Sequence, residues 1–264
     1  MAAVSGPSRA SPRTPDPVAG HLYVVTGSSR GLGAALAQQL AATGHTVLGI
    51  ARRTNDSLAA RGGSLEQWAG DLADPAPVAA RLEAWLATFD GTAFDSASLI
   101  NNAGVLSRIG PIDETDSVDL ANAIRVGLEA PLLLTAAFLR ATRHWAGQRR
   151  VLNISSGLGR RPMAGSASYC AAKAGLDLFT RSTALDEAAR PNGAKLVSLA
   201  PGVIDTEMQV QLRDSDPNGF PDRDRFVGLK TGGQLVTAED TAARVLAILH
   251  RDDFGAEPLA DVRD

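Results

Sequence analysis

The sequence predicts an α/β protein, a single doubly wound (Rossmann) domain with a mostly parallel sheet of about seven strands. Three observations predict it. Short β-branched runs alternate with longer helical patterns from His21 onward, a glycine-rich turn joins the first strand to the first helix, and no linker or internal repeat divides the chain. Strict alternation of this kind implies right-handed crossovers and helices on both faces of the sheet.

In chain order, Leu22-Tyr23-Val24-Val25 reads as a buried strand, and Gly31 to Ala42 as an Ala/Leu helix closed by Gly44. Thr46 to Ala51 is a second strand, and Leu65 to Ala69 a third. Asp74-Pro75 opens a helix with Val78, Leu82, Trp85, Leu86 and Phe89 along one face. Ser98-Leu99-Ile100 is a fourth strand, followed by a long helix over residues 117–146 that the sequence bends at Pro131. Arg150 to Ser155 is a fifth strand, Ser168 to Ala189 an amphipathic helix stopped by Pro191-Asn192-Gly193, and Lys195 to Ala200 a sixth strand. Thr237 and Asp240 are spaced to cap a last helix ending near His250.

Composition narrows the function. With 264 residues, 44% of them apolar, the chain can fill one substantial core. Its 26 basic and 29 acidic residues nearly balance, so neither nucleic acid nor an anionic membrane is expected as a partner. No uninterrupted run approaches the eighteen or so apolar residues of a membrane span. Cys170 is the single cysteine, which excludes an intrachain disulfide and suggests a reducing, cytoplasmic setting. His21, His45, His144 and His250 lack metal-ligand spacing, and no metal is expected. Residues 1–20 carry four prolines and no apolar run; a disordered tail is the reading preferred over a transit peptide, with the domain spanning 21–264.

The turn Thr26-Gly27-Ser28-Ser29-Arg30-Gly31-Leu32-Gly33 sits between a strand and a helix. Glycines there allow a tight turn and let backbone approach a pyrophosphate, which the helix N-terminus attracts through free N–H groups. These features point to a dinucleotide cofactor. An acid at the end of the second strand would select NAD, and a base NADP. Here that strand ends Ala51-Arg52-Arg53, with Arg30 on the glycine loop and the nearest acid, Asp56, several residues later. NADP(H) is therefore the expected cofactor, with solvated arginines as the plainer alternative.

At this point the chain resembles the short-chain dehydrogenase/reductase family. The glycine loop (Gly27, Ser29, Arg30, Gly31, Leu32, Gly33) is similar to that family's cofactor motif, and Asn101-Asn102-Ala103-Gly104 to the motif after its fourth strand. Asp71-Leu72 resembles its adenine-contacting pair, and Ser156 with Tyr169 and Lys173 its catalytic Ser and Tyr-x3-Lys. Pro201, Gly202, Val203, Ile204 and Thr206 resemble its nicotinamide-side motif. Within the family, Tyr169–Ala174, Asp205–Gln209, Leu229–Val236 and the acidic tail Asp261–Asp264 look most like the sepiapterin reductase and benzil reductase branch. The resemblance implies a homodimer or homotetramer and a small-molecule carbonyl or alcohol substrate. One position departs: Gly127 stands where the family usually has a relay asparagine. Either water or another group fills that place, or proton delivery is impaired.

The chemistry suits these residue types. Reducing a carbonyl needs a hydride, which the cofactor supplies, a proton, and stabilisation of charge growing on oxygen. A free tyrosine titrates near 10, and a nearby ammonium is expected to lower Tyr169 toward neutrality. Tyr169 and Lys173, four apart, share one helix face. Ser156 is expected to donate a second hydrogen bond to the substrate oxygen; Ser155 is its rival for that role and reads as structural. Cys170 reads as a small packing residue rather than a redox site, and Trp68, Trp85 and Trp145 as core or interface aromatics. The polar segment 204–234 reads as a substrate lid with Met208, Leu212, Phe220 and Phe226 as its apolar inner face. Asp261 or Asp264 either anchors a polar substrate group or belongs to a frayed end. The function expected is NADPH-dependent reduction of a ketone, α-diketone or pterin-like carbonyl. The alternatives are the reverse alcohol oxidation and a non-catalytic NADP(H)-binding regulator, the latter motivated by Gly127.

Overall fold

A computed structural model describes residues 20–58 and 64–264. The tail expected over 1–20 falls outside them except for Gly20, which already belongs to the first strand. The strands are β1 (Gly20–Thr26), β2 (Thr46–Ala51), β3 (Ser64–Ala69), β4 (Phe94–Asn101), β5 (Gln148–Ile154), β6 (Lys195–Ala200) and β7 (Leu259–Asp261). They form one parallel sheet in the order β3-β2-β1-β4-β5-β6-β7. The seventh strand comes from the segment read as an acidic tail. Only three residues long, it carries no periodic signal and is held by Ala260 pairing with Leu199.

The helices are α1 (Gly31–Ala42), α2 (Pro75–Leu86), α3 (Ser117–Ile124), α4 (Ala130–Ala141), α5 (Ala167–Ala188), α6 (Glu207–Arg213), α7 (Arg223–Thr231) and α8 (Ala238–Leu249). Side chains alternate across each strand, so β1 sends Leu22 and Val24 to one face, and Tyr23 and Val25 to the other. Leu82, Leu86, Leu134 and Phe138 from α2 and α4 close over the first face. Leu36, Leu40, Val245 and Leu249 from α1 and α8 close over the second. As expected, Thr237 caps α8, its side chain accepting from the Asp240 N–H at 3.0 Å.

The long helix expected over 117–146 is broken. Arg125–Glu129 is a π-helical segment, in which the Ala130 N–H donates to Arg125 O five residues back. Pro131 has no N–H for the carbonyl four residues earlier, which is that of Gly127, and its ring would clash there. The widened turn relieves the conflict, so the disturbance lies one turn upstream of the proline. The helix also stops at Ala141, because Trp145 folds back to stack on Phe94 at 5.5 Å. By length and composition Ser117–Ala141 could cross a membrane (mean hydropathy 1.3), but 56% of that window is buried inside the domain. The segment 204–234, read from the sequence as a substrate lid, contains α6 and α7, and its base is closed by a bridge pairing Ile204 with Val236.

At the amino-terminal end of the sheet, three histidines gather around Tyr23. Its hydroxyl lies 2.8 Å from His250 Nε2, its ring is 5.2 Å from His45, and His45 is 5.0 Å from His21. Burial pushes the Tyr23 phenol up to about 12, so the hydroxyl donates to His250. Burial, neighbouring histidines and, for His250, Arg150 hold His45 and His250 below the ordinary histidine value. Unfolding returns these rings to water, where they protonate more readily. The native state is therefore fully favoured above the unfolded value and loses stability as pH falls from there through the lowered folded values. The expected outcome is a melting temperature that drops as pH falls below about 6.5, with a shallower drop in His45→Gln, checked by circular dichroism melts across that range.

Candidate active site

Strand order reverses at β1, whose neighbours β2 and β4 lead into opposite halves of the sheet. Open α/β sheets bind their ligands outside the carboxyl ends at such a point. A cavity of about 600 Å³ lies there, lined by the glycine loop, the ends of β4, β5 and β6, and the segment carrying α6.

The two sides of the switch are tied together. Thr26 Oγ1 accepts from the Asn102 and Ala103 N–H groups, each at 3.0 Å, and Asn102 Nδ2 donates to Thr26 O at 2.9 Å. Asn102 thus holds the loop in shape while facing the cavity. Gly27 and Gly31 adopt left-handed φ angles of +69° and +53°. A Cβ on Gly33 would sit 2.2 Å from Gly27 O, so only glycine lets α1 pack this close to the strand end. The first turn of α1 carries no acid, and no side chain caps its start. Its amides are left to face an anion, and the cradle fits a dinucleotide pyrophosphate.

Of the catalytic and cofactor-binding residues expected from the sequence, all line this cavity except Arg53. Consecutive residues at a strand end point to opposite sides, and Arg52 is the one that faces inward. Among the described residues Arg52 has no acidic partner, whereas Arg30 pairs with Glu207 at the cavity mouth. Asp71 and Leu72 line the cavity beyond β3, Asp71 Oδ1 accepting from the Ala73 N–H at 3.0 Å.

At the other end, Lys173 is 4% exposed and its Nζ donates to Ile154 O at 2.7 Å. It stands 5.6 Å from the Tyr169 ring centre. Burial pulls Lys173 down to about 8. Tyr169 departs from expectation: burial pushes its phenol up to about 12, against the lowering effect of a hydrogen bond with Ser156. Lys173, committed to a backbone carbonyl, does not overcome desolvation. The arrangement therefore holds a protonated phenol beside a serine hydroxyl and a buried amine, a set able to give a proton to an oxygen placed between Tyr169 and Ser156. Ser155, the rival, turns away to donate to Asp177 Oδ1 at 2.6 Å.

Gly127 is buried, and a Cβ there would lie 3.0 Å from the Ala172 Cβ, so α5 already occupies the space a side chain would use. The apolar inner face expected of residues 204–234 is present: Leu212 and Phe220 pack with Ile109 and Met163, Phe226 adjoins them, and Met208 lines the cavity. Asp261 does not face the cavity. It ends β7 with its carboxylate paired to Arg263, which lines the cavity instead. Sequence reasoning also missed Asn122, Leu158 and Arg161 in the lining, residues that belong to no motif and reach the site only through the fold.

The model of the short chain dehydrogenase family matches residues 21–217. The chain is 35% identical over 238 residues to a benzil reductase ((S)-benzoin forming) of Bacillus cereus, covering 88% of this chain and 94% of that protein. It is 31% identical over 258 residues to a sepiapterin reductase of Bos taurus, covering 92% and 94%. The solved structure of a metagenomic short-chain oxidoreductase in complex with NADP aligns with a TM-score of 0.68 at 28% identity, covering 93% of this chain and 96% of that one. Sequence motifs, sheet order, site geometry and these likenesses agree, and the chain belongs to the short-chain dehydrogenase/reductase family of oxidoreductases.

Proposed function

We propose that the protein is an NADPH-dependent carbonyl reductase acting on small ketones, α-diketones or pterin-like carbonyls. The observation that carries this reading is the convergence of Ser156, Tyr169 and Lys173 at one end of a cavity whose other end is cradled by the glycine loop and Arg52. When bound, the dinucleotide supplies the hydride. The glycine loop and the start of α1 would hold its pyrophosphate, and Arg52, free of any acidic partner among the described residues, would take the 2′-phosphate.

Tyr169 is the proton donor in this reading. A phenol held near 12 stays protonated across the neutral range, which is the form a proton donor needs. Ser156 orients the substrate oxygen, and Lys173 provides positive charge as the phenolate forms. The benzil and sepiapterin reductases it resembles support a carbonyl flanked by apolar or aromatic groups, and Leu158, Met163, Met208, Leu212 and Phe226 give the cavity an apolar wall. Leu178 and Leu185 on α5 are 63% and 76% exposed, which supports self-association along that helix.

The test is NADPH oxidation followed at its absorbance maximum with a panel of α-diketones and pterin carbonyls. Turnover is expected, and Tyr169→Phe should lower kcat by about 100-fold or more. Tight NADPH binding without turnover of any carbonyl would instead favour a regulatory role. For the cofactor, Arg52→Ala should raise the KM for NADPH about ten-fold while leaving that for NADH unchanged. Equal use of both cofactors by the wild-type protein would overturn the choice of NADPH.

A further inference from the structure

A buried carboxylate that no motif contains lies behind the candidate catalytic residues. Asp177 is on α5, one turn beyond Lys173 and two beyond Tyr169, so the three share one face. It is 6% exposed. Its Oδ1 accepts from Ser155 Oγ at the end of β5 and from Ser198 Oγ in β6, both at 2.6 Å. Its Oδ2 accepts from Arg160 Nε at 3.2 Å. Arg160 in turn donates from Nη2 to Ala260 O of β7 at 3.0 Å and to Ser198 O at 3.3 Å. The loop after Ser156 lies flat on this knot, because a Cβ at Gly159 would come within 2.9 Å of Lys173 O and 3.0 Å of Asp177 Oδ2.

We propose that Asp177 is a positioning residue of the reaction, locking the strand end that carries Ser156 onto the helix face that carries Tyr169 and Lys173, and supplying the negative charge next to Lys173. The proposal rests on the reductase reading above. Three elements and the loop after β5 meet at one carboxylate, and a purely packing role would not need the charge. Two serine hydroxyls can donate to a neutral amide oxygen as well as to a carboxylate oxygen, so the serine contacts alone do not require the charge. The ionised form is matched instead to the two cations around it. Arg160 faces it from the loop, and Lys173, buried and pulled down by desolvation, is held up by its charge. The ionisable groups facing Lys173 are Tyr169 and Asp177 on its own helix, with Arg160 behind Asp177. β5 and the loop after β4 meet Lys173 through Ile154 O and Gly104.

Asp177→Asn keeps the shape and the serine contacts but removes the charge. The ammonium of Lys173 then loses an attractive partner, so it should titrate at lower pH. Arg160→Gln has the opposite sign, since it removes a cation beside Asp177 and should raise the Lys173 midpoint. The chain contains only three lysines, Lys173, Lys195 and Lys230. Protein labelled with [6-13C]lysine therefore gives a spectrum in which the buried Lys173 can be followed through a pH titration without any turnover. The expected result is a Lys173 midpoint lowered by about one pH unit in Asp177→Asn and raised in Arg160→Gln, with Ser198→Ala leaving it unmoved. In the activity assay the alkaline limb of kcat for reduction should move down with the Asp177→Asn midpoint, while the KM for the carbonyl changes little. An unmoved midpoint in both charge variants overturns the role of Asp177. If Asp177→Asn fails to fold, Arg160→Gln alone decides the sign. A wild-type protein with no turnover on any carbonyl, together with shifted midpoints, overturns the reductase reading and leaves the charge coupling standing.

Discussion

Thr26 and Asn102 join the ends of β1 and β4 where the strand order reverses, and the site is built outward from that tie. The reversal sends the crossovers to opposite sides of the sheet and leaves a crevice that side chains from neither half fill. Without a link across it, the two strand ends would present unpaired backbone groups to solvent in no fixed geometry. One threonine hydroxyl satisfies two of those N–H groups, and one amide returns a bond to the opposite carbonyl. The glycine loop then takes the single path that leads into α1, with Gly33 pressed against Gly27. Everything proposed for dinucleotide binding depends on that path.

The proton-donating end obeys a different constraint, the cost of burying ionisable groups. The same desolvation raises the titration point of Tyr169 and lowers that of Lys173, so both groups are pushed toward their neutral forms. Reading the pair as a simple phenol–ammonium couple overlooks this shared preference for neutrality. The structure answers it with partners drawn from elsewhere in the chain: Ser156 for the phenol, Ile154 O for the amine, and Asp177 for the charge.

Much of this was legible in the sequence because it is local. Strand and helix periods, the Thr237 cap and the strand–turn–helix setting of the glycine loop are each written within a few consecutive residues, and the structure reproduces them. The features that were not legible depend on distant partners. The strand Leu259–Asp261 exists because β6 offers a free edge, and residues 143–146 are not helical because Trp145 finds Phe94. Adjacency in sequence groups Arg53 with Arg52, although neighbours at a strand end face apart and only Arg52 lines the cavity. Asp177 looks like any solvent-facing acid on an amphipathic helix until Ser155, Ser198 and Arg160 are brought to it.

The widened turn at Arg125–Glu129 has one more effect. An extra residue in a single turn rotates the helix before it by about 100° relative to the helix after it. Within the widened turn Val126 packs in the core with Leu134 and Phe138 and also lines the cavity, and Asn122 of α3 lines the cavity one turn earlier, while α4 keeps its own face on the core. A single proline thus acts as a phase shifter, letting one nearly continuous helix serve two surfaces that a regular one would leave out of step.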